Sequence, residues 1–579
     1  MTEAERFKIS SEKFADFITN DDTSAAILNT YPDASVSLNF NDLSIIHIPV
    51  ENMAFDSIHR FGYSSIPACF GLLTSNPDTL EYNLRNLPVS FKAEDGYTGK
   101  EVLIGLIDTG IDYRNKAFQK EDGTSRILSI WDQSIESGIN PAGFLYGTEY
   151  NNESINKALK SENPLAVVPS MDVIGHGTML AGVSGGSKNA EYGFSGIADN
   201  VTFAVVKLKP AKEYIKNFFS IPPDAVCYQE NDIISGVIYL HELALAVKKP
   251  LVICLGVGTS QSDHTGNRFL SRLLATVSEI NGRAVVVSAG NEGNRGSHYY
   301  GDIKPPASFD DVVLNVAENT YGFTMQFWGT SPNWFWIDVY TPDGGFITRI
   351  PPTTNNSILY SLENMTIIAD SQIKEPYSSE QFIVLRFSKP VPGEWHFYVY
   401  GIKGDLPMRF HFWLPIHSFL TPGTVFVEPN SNTTIVAPGN NVSLICATAY
   451  NTANNTLYYY ASKGNTITNM PKPDITAPGV NVLSPYLNNQ FIRVTGTSVS
   501  SAYIAGVVAL LLEWGITNGN FPQMSNALLK KIITQSASRR PNESYPNPDW
   551  GYGIVDIDKM GSVINSIISV QENTSIFQV

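Results

Sequence analysis

The chain is short of charge and of cysteine. Only 16% of its 579 residues are Asp, Glu, Lys or Arg, against about 25% in an ordinary globular protein. Hydrophobic residues reach 43% and aromatics 11%, so wholesale disorder is excluded and large buried cores are within reach. Basic residues are the scarcer sign: 39 Lys and Arg against 55 Asp and Glu leave a formal net charge of −16. That balance excludes nucleic-acid backbone as the principal partner. The four cysteines, Cys69, Cys227, Cys254 and Cys446, stand in no paired spacing and read as buried free thiols of a reducing compartment. The opening residues from Met1 to Asn20 contain no apolar core of a signal peptide. The longest apolar run, Ala502 to Leu512, is too short to cross a bilayer, so no transmembrane segment is expected. These absences point to a cytoplasmic or otherwise internal protein. Turn formers, by contrast, are plentiful: 44 Gly and 34 Pro favour β structure and loops over a helical bundle.

The texture changes along the chain. Residues 1–75 hold strand-like runs at Ser35–Phe40, Leu43–Val50 and Cys69–Leu73, with a helical Glu51–Phe61, and suggest a small α+β unit. A polar linker follows over 76–100. From residue 101 to 317, continuous β-branched runs (Val102–Ile107, Val201–Leu208, Leu251–Leu255, Ala284–Val287) alternate with helical segments (Asp232–Val247, Arg268–Ile280). That alternation predicts an α/β unit with a parallel sheet buried on both faces. Between 318 and 436 the pattern breaks into aromatic strands such as Phe327-Trp328, Trp334-Phe335-Trp336, Trp395-His396-Phe397-Tyr398 and Phe410-His411-Phe412-Trp413, separated by Pro-Gly-type turns. This is the signature of an antiparallel β-sandwich or jelly roll. The α/β texture resumes over 437–570, leaving a tail at 571–579, so the sandwich reads as an insertion.

Three short segments carry chemistry. Ile107-Asp108-Thr109-Gly110 ends a buried strand, Gly175-His176-Gly177-Thr178 opens a helix, and Gly496-Thr497-Ser498-Val499-Ser500-Ser501-Ala502 precedes an apolar helix. Sites in α/β sheets form beyond the carboxyl ends of strands, where Asp108 falls. A serine at a helix N-terminus feels the positive end of the helix dipole. A fourth segment, Ser288-Ala289-Gly290-Asn291-Glu292-Gly293, places an Asn after a strand, where its amide can donate to an oxyanion. Each segment alone has a plain structural explanation, a turn or a helix cap; the four together, in this order, do not.

The order Asp, His, Ser resembles that of the subtilisin-like serine proteases. The likeness covers about residues 100–317 and 437–560. It extends to Tyr97-Thr98-Gly99, Lys472-Pro473-Asp474-Ile475-Thr476-Ala477-Pro478-Gly479 and Trp550-Gly551-Tyr552-Gly553. Ile130-Trp131-Asp132-Gln133, Tyr146-Gly147-Thr148-Glu149-Tyr150 and the aromatic insert resemble the clostridial Csp group linked to spore germination. The resemblance implies a subtilisin-like α/β fold with an N-terminal α+β propeptide, serine endopeptidase activity on proteins or peptides, and autocatalytic removal of the propeptide within 70–95. It implies a triad of Asp108, His176 and Ser498, an oxyanion hole with Asn291, and substrate binding at Leu255, Gly256 and Gly290. A spore-associated location and activation of a germination hydrolase follow from the Csp likeness. The sequence departs from the family at Ala502-Tyr503, where Pro-His is usual, and at Val499, where Met is usual.

No cofactor and no obligatory metal are expected. The loop Gly185–Gly196 carries few carboxylates, and His241, His264, His298, His396, His411 and His417 are widely dispersed. Two other readings stand beside the processing protease: a general bacterial subtilase in protein turnover, and a propeptide-inhibited binding protein. In the last, Trp334, Trp336 or Trp395 of the insert would form a sugar platform. A further role for the insert is to brace the catalytic unit against unfolding and proteolysis without moving the active-site groups.

Overall fold

The computed structural model describes residues 1–73, 96–304, 307–353, 356–362, 364–375, 378–402 and 407–566. Most of the linker expected at 76–100, and the tail, lie outside the described residues. The central sheet has the strand order Thr456–Leu457, Ile445–Asn451, Arg283–Ser288, Leu251–Leu255, Leu103–Asp108, Thr202–Lys207, Ile127–Asp132, Thr148–Asn151. Its inner pairings are parallel. Both faces are buried, and the period-2 alternation of side chains divides the strands between two cores. Ile104, Leu106, Val252, Cys254, Ala284 and Val286 join one core. Leu103, Ile107, Ile253, Leu255, Val285 and Val287 join the other. Two-sided burial is why these strands read as unbroken apolar runs.

The helix Thr497–Leu512 is buried along its whole length. With its continuation to Thr517 it is long and apolar enough to cross a membrane by length and composition alone. However, 89% of its most apolar 18-residue window is buried inside the protein.

The N-terminal unit is a three-stranded antiparallel sheet, Phe14–Thr19, Leu43–Pro49 and Ser35–Phe40, with the helix Asp21–Thr30. The helix expected over Glu51–Phe61 is broken into a 3₁₀ turn, Val50–Asn52, and the helix Ser57–Phe61. The Ser57 hydroxyl accepts from the Ala54 N–H at 2.9 Å, fixing a turn between the two pieces.

The insert is a sandwich of a six-stranded and a five-stranded antiparallel sheet. Its core is built from aromatic residues including Phe323, Phe327, Phe335, Trp395, Phe397, Phe410 and Phe412. It begins at His298, earlier than residue 318. His298–Ile303 pairs in register with Met408–Trp413, and Phe309–Val316 pairs with Gly393–Gly401. Phe309–Val316 buries alternate residues at its C-terminal end, the mark of a one-sided sheet rather than of the central parallel one. Trp395 is fully buried, its indole N–H donating to Val391 O at 2.8 Å. Trp334 is exposed, and Trp336 stacks on Tyr400.

Candidate active site

Asp108 is the last residue of the central strand Leu103–Asp108, and His176 is the first of the helix His176–Gly185. The glycines around His176 are set by space. A Cβ on Gly175 would lie 2.1 Å from the Tyr486 ring, and one on Gly177 would lie 2.1 Å from the Gly110 carbonyl oxygen. Gly175 also has φ +89°, a backbone state that glycine adopts freely. Asp172 holds this helix entrance. Its Oδ1 accepts from the N–H groups of Ile174 (3.1 Å) and Gly175 (2.7 Å), and its Oδ2 from the N–H and hydroxyl of Thr178 (3.0 and 2.7 Å). The sequence reading missed Asp172, which no motif singles out.

The three segments meet. His176 Nδ1 lies 2.7 Å from Asp108 Oδ1, and Nε2 lies 3.3 Å from Ser498 Oγ. Asp108 Oδ1 also accepts from the Thr109 N–H at 2.8 Å. All three side chains are buried: Asp108 is 1% exposed, His176 2% and Ser498 0%. With the carboxylate on Nδ1, the imidazole keeps Nε2 for the serine.

Asn291 sits beside them. Its side-chain oxygen accepts from both the N–H and the hydroxyl of Thr497, each at 3.1 Å. This fixes the amide and leaves Nδ2 as a buried donor with no partner in the protein. Buried donors are nearly always paired, so one left open marks a place for an incoming acceptor. Gly290 donates its N–H to Thr497 Oγ1 at 3.1 Å and accepts from the Ser462 N–H at 2.8 Å. It therefore supports the loop through its own backbone bonds.

The chain's own segment Cys69–Leu72 lies across the site as the middle strand of three. On one side Leu72 and Gly71 pair antiparallel with Val257 and Gly258. On the other, Cys69 and Phe70 pair with Gln229 and Tyr228. The edge used for pairing is thus Val257–Gly258, beyond Leu255 and Gly256. Leu255 ends the central strand with its side chain in the core, and Gly256 backs onto the site, where a Cβ would stand 3.0 Å from His176 Cε1. Upstream, Glu230 Oε2 accepts from the Ala68 N–H (3.0 Å) and Gln261 Oε1 from the Cys69 N–H (3.0 Å). Arg268 ties Glu230 (2.7 Å) to Ile66 O (2.8 Å). At the downstream end the Leu73 carbonyl accepts from Ser498 Oγ at 3.0 Å and from the Ser498 N–H at 3.5 Å.

The insert reaches this strand. Ile416, Phe419 and Val436 share a core with Cys69 and Leu73. A cleft of about 850 Å³ opens beside Leu72 and His176, and the insert's Asn319, Tyr321 and His417 also line it.

Three of the dispersed histidines also converge. His264 and His298 stack on the indole of Trp413, with ring centroids 3.6 and 4.8 Å away, and His298 Nε2 lies 2.9 Å from His411 Nδ1. The rings meet face to face. Among the described residues no three His, Cys, Asp or Glu side chains form a group that could hold a metal ion. Burial pushes His264 down to about 3 and His298 to about 4, and it lowers His411 well below the usual imidazole range. The four cysteines are free and buried.

This fold and this cluster define the class of the subtilisin-like serine proteases. A model of the subtilase family matches residues 99–367 and 423–554, and the chain belongs to that family. The CspB protease of Clostridium perfringens superposes with a TM-score of 0.71 at 28% identity, covering 80% of this chain and 93% of that one. The Subtilisin-like protease SBT3.6 of Arabidopsis thaliana is 24% identical over 503 residues, 79% of this chain and 60% of that relative. The C5a peptidase of Streptococcus pyogenes is 35% identical over 124 residues, 20% of this chain, which spans only 10% of that relative.

Proposed function

We propose that the protein is a serine endopeptidase made as a self-processing zymogen, and that its first substrate is its own bond between Leu73 and Thr74. Ser498 Oγ attacks the Leu73 carbonyl carbon while His176 Nε2 takes the hydroxyl proton. The same proton then passes to the Thr74 nitrogen as the C–N bond breaks, leaving Leu73 esterified to Ser498. A water, deprotonated by His176, releases the Leu73 carboxylate and restores the serine. Asp108 keeps the imidazole oriented and stabilises its cation. Asn291 Nδ2 and the Ser498 N–H receive the oxyanion.

The observation that carries this reading is the Leu73 carbonyl bonded to Ser498 Oγ at 3.0 Å, at the end of a strand paired on both sides. An added strand is how an extended peptide gives its backbone to a sheet edge. The N-terminal unit is accordingly the propeptide, and it stays in place as a product-like inhibitor. After release the same groove cuts other proteins. The Csp-like motifs Ile130–Gln133 and Tyr146–Tyr150 are what favour activation of a second hydrolase in germination, by an enzyme that is cytoplasmic or spore-associated. The test is expression of the full chain beside its Ser498→Ala variant, followed by intact mass and N-terminal sequencing. Wild type should yield a new N-terminus at Thr74 and the variant none. Identical intact chains would refute self-processing.

A further inference from the structure

The strand through the active site has two faces, and the insert covers one of them. Cys69 and Leu73 belong to the core that contains Trp413, Ile416, Phe419 and Val436. Phe70 belongs to the core of the catalytic unit, with Leu72 packed against it. Gly71 lies between Cys69 and Leu73 on the insert's side and has no side chain. A Cβ there would stand 2.5 Å from Ile416 Cδ1, 3.0 Å from Ser418 Oγ and 3.2 Å from Phe419 Cε1. Gly71 is not among the residues with positive φ, so the position demands small volume, not unusual backbone.

This roof cannot easily lift. Ile416 and Phe419 are each 1% exposed. The 3₁₀ turn His417–Phe419 is held by Glu292, which accepts from the His417 N–H at 3.0 Å and lies 2.8 Å from His417 Nδ1. Glu292 is itself 1% exposed and follows Asn291 in the chain, and its N–H donates to Ser462 Oγ at 3.0 Å. The loop that carries the oxyanion donor therefore also anchors the insert over the third residue before the cut.

We propose that the insert is a specificity element. Its Ile416–Phe419 segment restricts cleavage to extended segments with glycine at the third residue before the scissile bond, in the chain itself and in its protein substrates. This rests on the reading of 69–73 as the bound substrate strand. A methyl group forced into a packed site is an overpacking, and either the buried Ile416 side chain or the strand must shift to admit it.

The test compares full-length chains by the rate of cleavage after Leu73, followed by intact mass. Gly71→Ala should cut about tenfold to a hundredfold more slowly than wild type. Combined with Ile416→Ala, it should return to the rate of the Ile416→Ala chain alone. Cleavage of Gly71→Ala at the wild-type rate, or no rescue by Ile416→Ala, would overturn the proposal. A second readout does not need cleavage. In Ser498→Ala chains, Gly71→Ala should speed hydrogen exchange of the amides of residues 70–72 by about tenfold or more, and Ile416→Ala should reverse it. If the wild-type chain is never cut, self-processing fails, while this exchange pattern still decides the fit at position 71. Unchanged exchange would then overturn it.

Discussion

Asp16 lies at the seam between the N-terminal unit and the catalytic unit, and its contacts give a direct handle on how firmly the two are joined. Asp16 Oδ1 takes an ion pair from Lys212 Nζ at 2.7 Å and lies within hydrogen-bond distance of His47 Nδ1 at 2.6 Å, and Oδ2 accepts from Gln229 Nε2 at 2.9 Å. Lys212 Nζ also donates to Phe14 O at 2.9 Å and Lys8 O at 3.3 Å. Asp16, His47 and Lys212 are all essentially buried. Burial opposes the Asp16 charge, yet Lys212 and then His47 outweigh it and hold the carboxyl well below its usual range. Removing one partner of such a buried pair strands the other charge, at a cost of about 3–5 kcal/mol. At about 1.4 kcal/mol per tenfold, Lys212→Met should raise the undocked population of the N-terminal unit by about two to three and a half powers of ten. His47 and Gln229 still face the carboxylate, which places the effect toward the lower end. Native-state hydrogen exchange of the Asp16 amide, which donates across the seam to Tyr214 Oη at 2.8 Å, measures this in the Ser498→Ala chain, since its exchange follows the local opening free energy. Adding Asp16→Asn to Lys212→Met removes the stranded charge and should recover most of the protection. An acceleration below tenfold would show that the pair does not hold the units together. Full acceleration persisting in the double variant would show that the cost comes from something other than an unpaired carboxylate.

Asn291→Leu should slow self-cleavage by about 10²–10³-fold, the range measured for the corresponding donor in subtilisin rather than one worked from this structure, with the strand still docked; a loss below tenfold would remove Asn291 from the oxyanion hole. Asp172→Ala leaves four donors at the entrance of the His176 helix without their acceptor and should destabilise the catalytic unit by about 3 kcal/mol in urea unfolding; a loss under 1 kcal/mol would reject its structural role. The histidines around Trp413 stay neutral in the fold, where burial pushes His264 to about 3 and His298 to about 4, and regain an ordinary value near 6.5 when unfolded. The unfolded chain then binds more protons between those values, so stability is full above pH 6.5 and falls as pH drops from there toward 4. The slope is up to about 1.4 kcal/mol per pH unit for each histidine. Replacing His264 and His298 with Phe should flatten that slope, and an unchanged pH profile would count against the assignment.

What could be read from the sequence was whatever local geometry alone determines. The strand ending in Asp108 is apolar without interruption because both its faces are buried, and the glycines beside His176 are required by Tyr486 and Gly110, which crowd them in the fold. Such constraints leave short, dense motifs. The start of the insert was misplaced because Phe309–Val316 lacks the paired aromatics of the later strands, and because the partners of His298–Ile303 and Phe309–Val316, Met408–Trp413 and Gly393–Gly401, lie far along the chain. Asp172 was missed because a single carboxylate capping a helix has no pattern around it. Within Cys254–Gly258 the sequence singles out Leu255 and Gly256; that the pairing with the chain's own strand falls on Val257 and Gly258 is set by where one strand ends and the next edge begins, which a motif does not encode. Phe70-Gly71-Leu72-Leu73 is the clearest case. In sequence its glycine is only a weak point in a strand. Its meaning depends on Ile416, Ser418 and Phe419, contributed by a different unit and brought over it through the Glu292–His417 contact. A residue whose role is to leave room for a distant side chain leaves no local trace, so the groove's demands at each position become readable only once the strand and the insert are seen in contact.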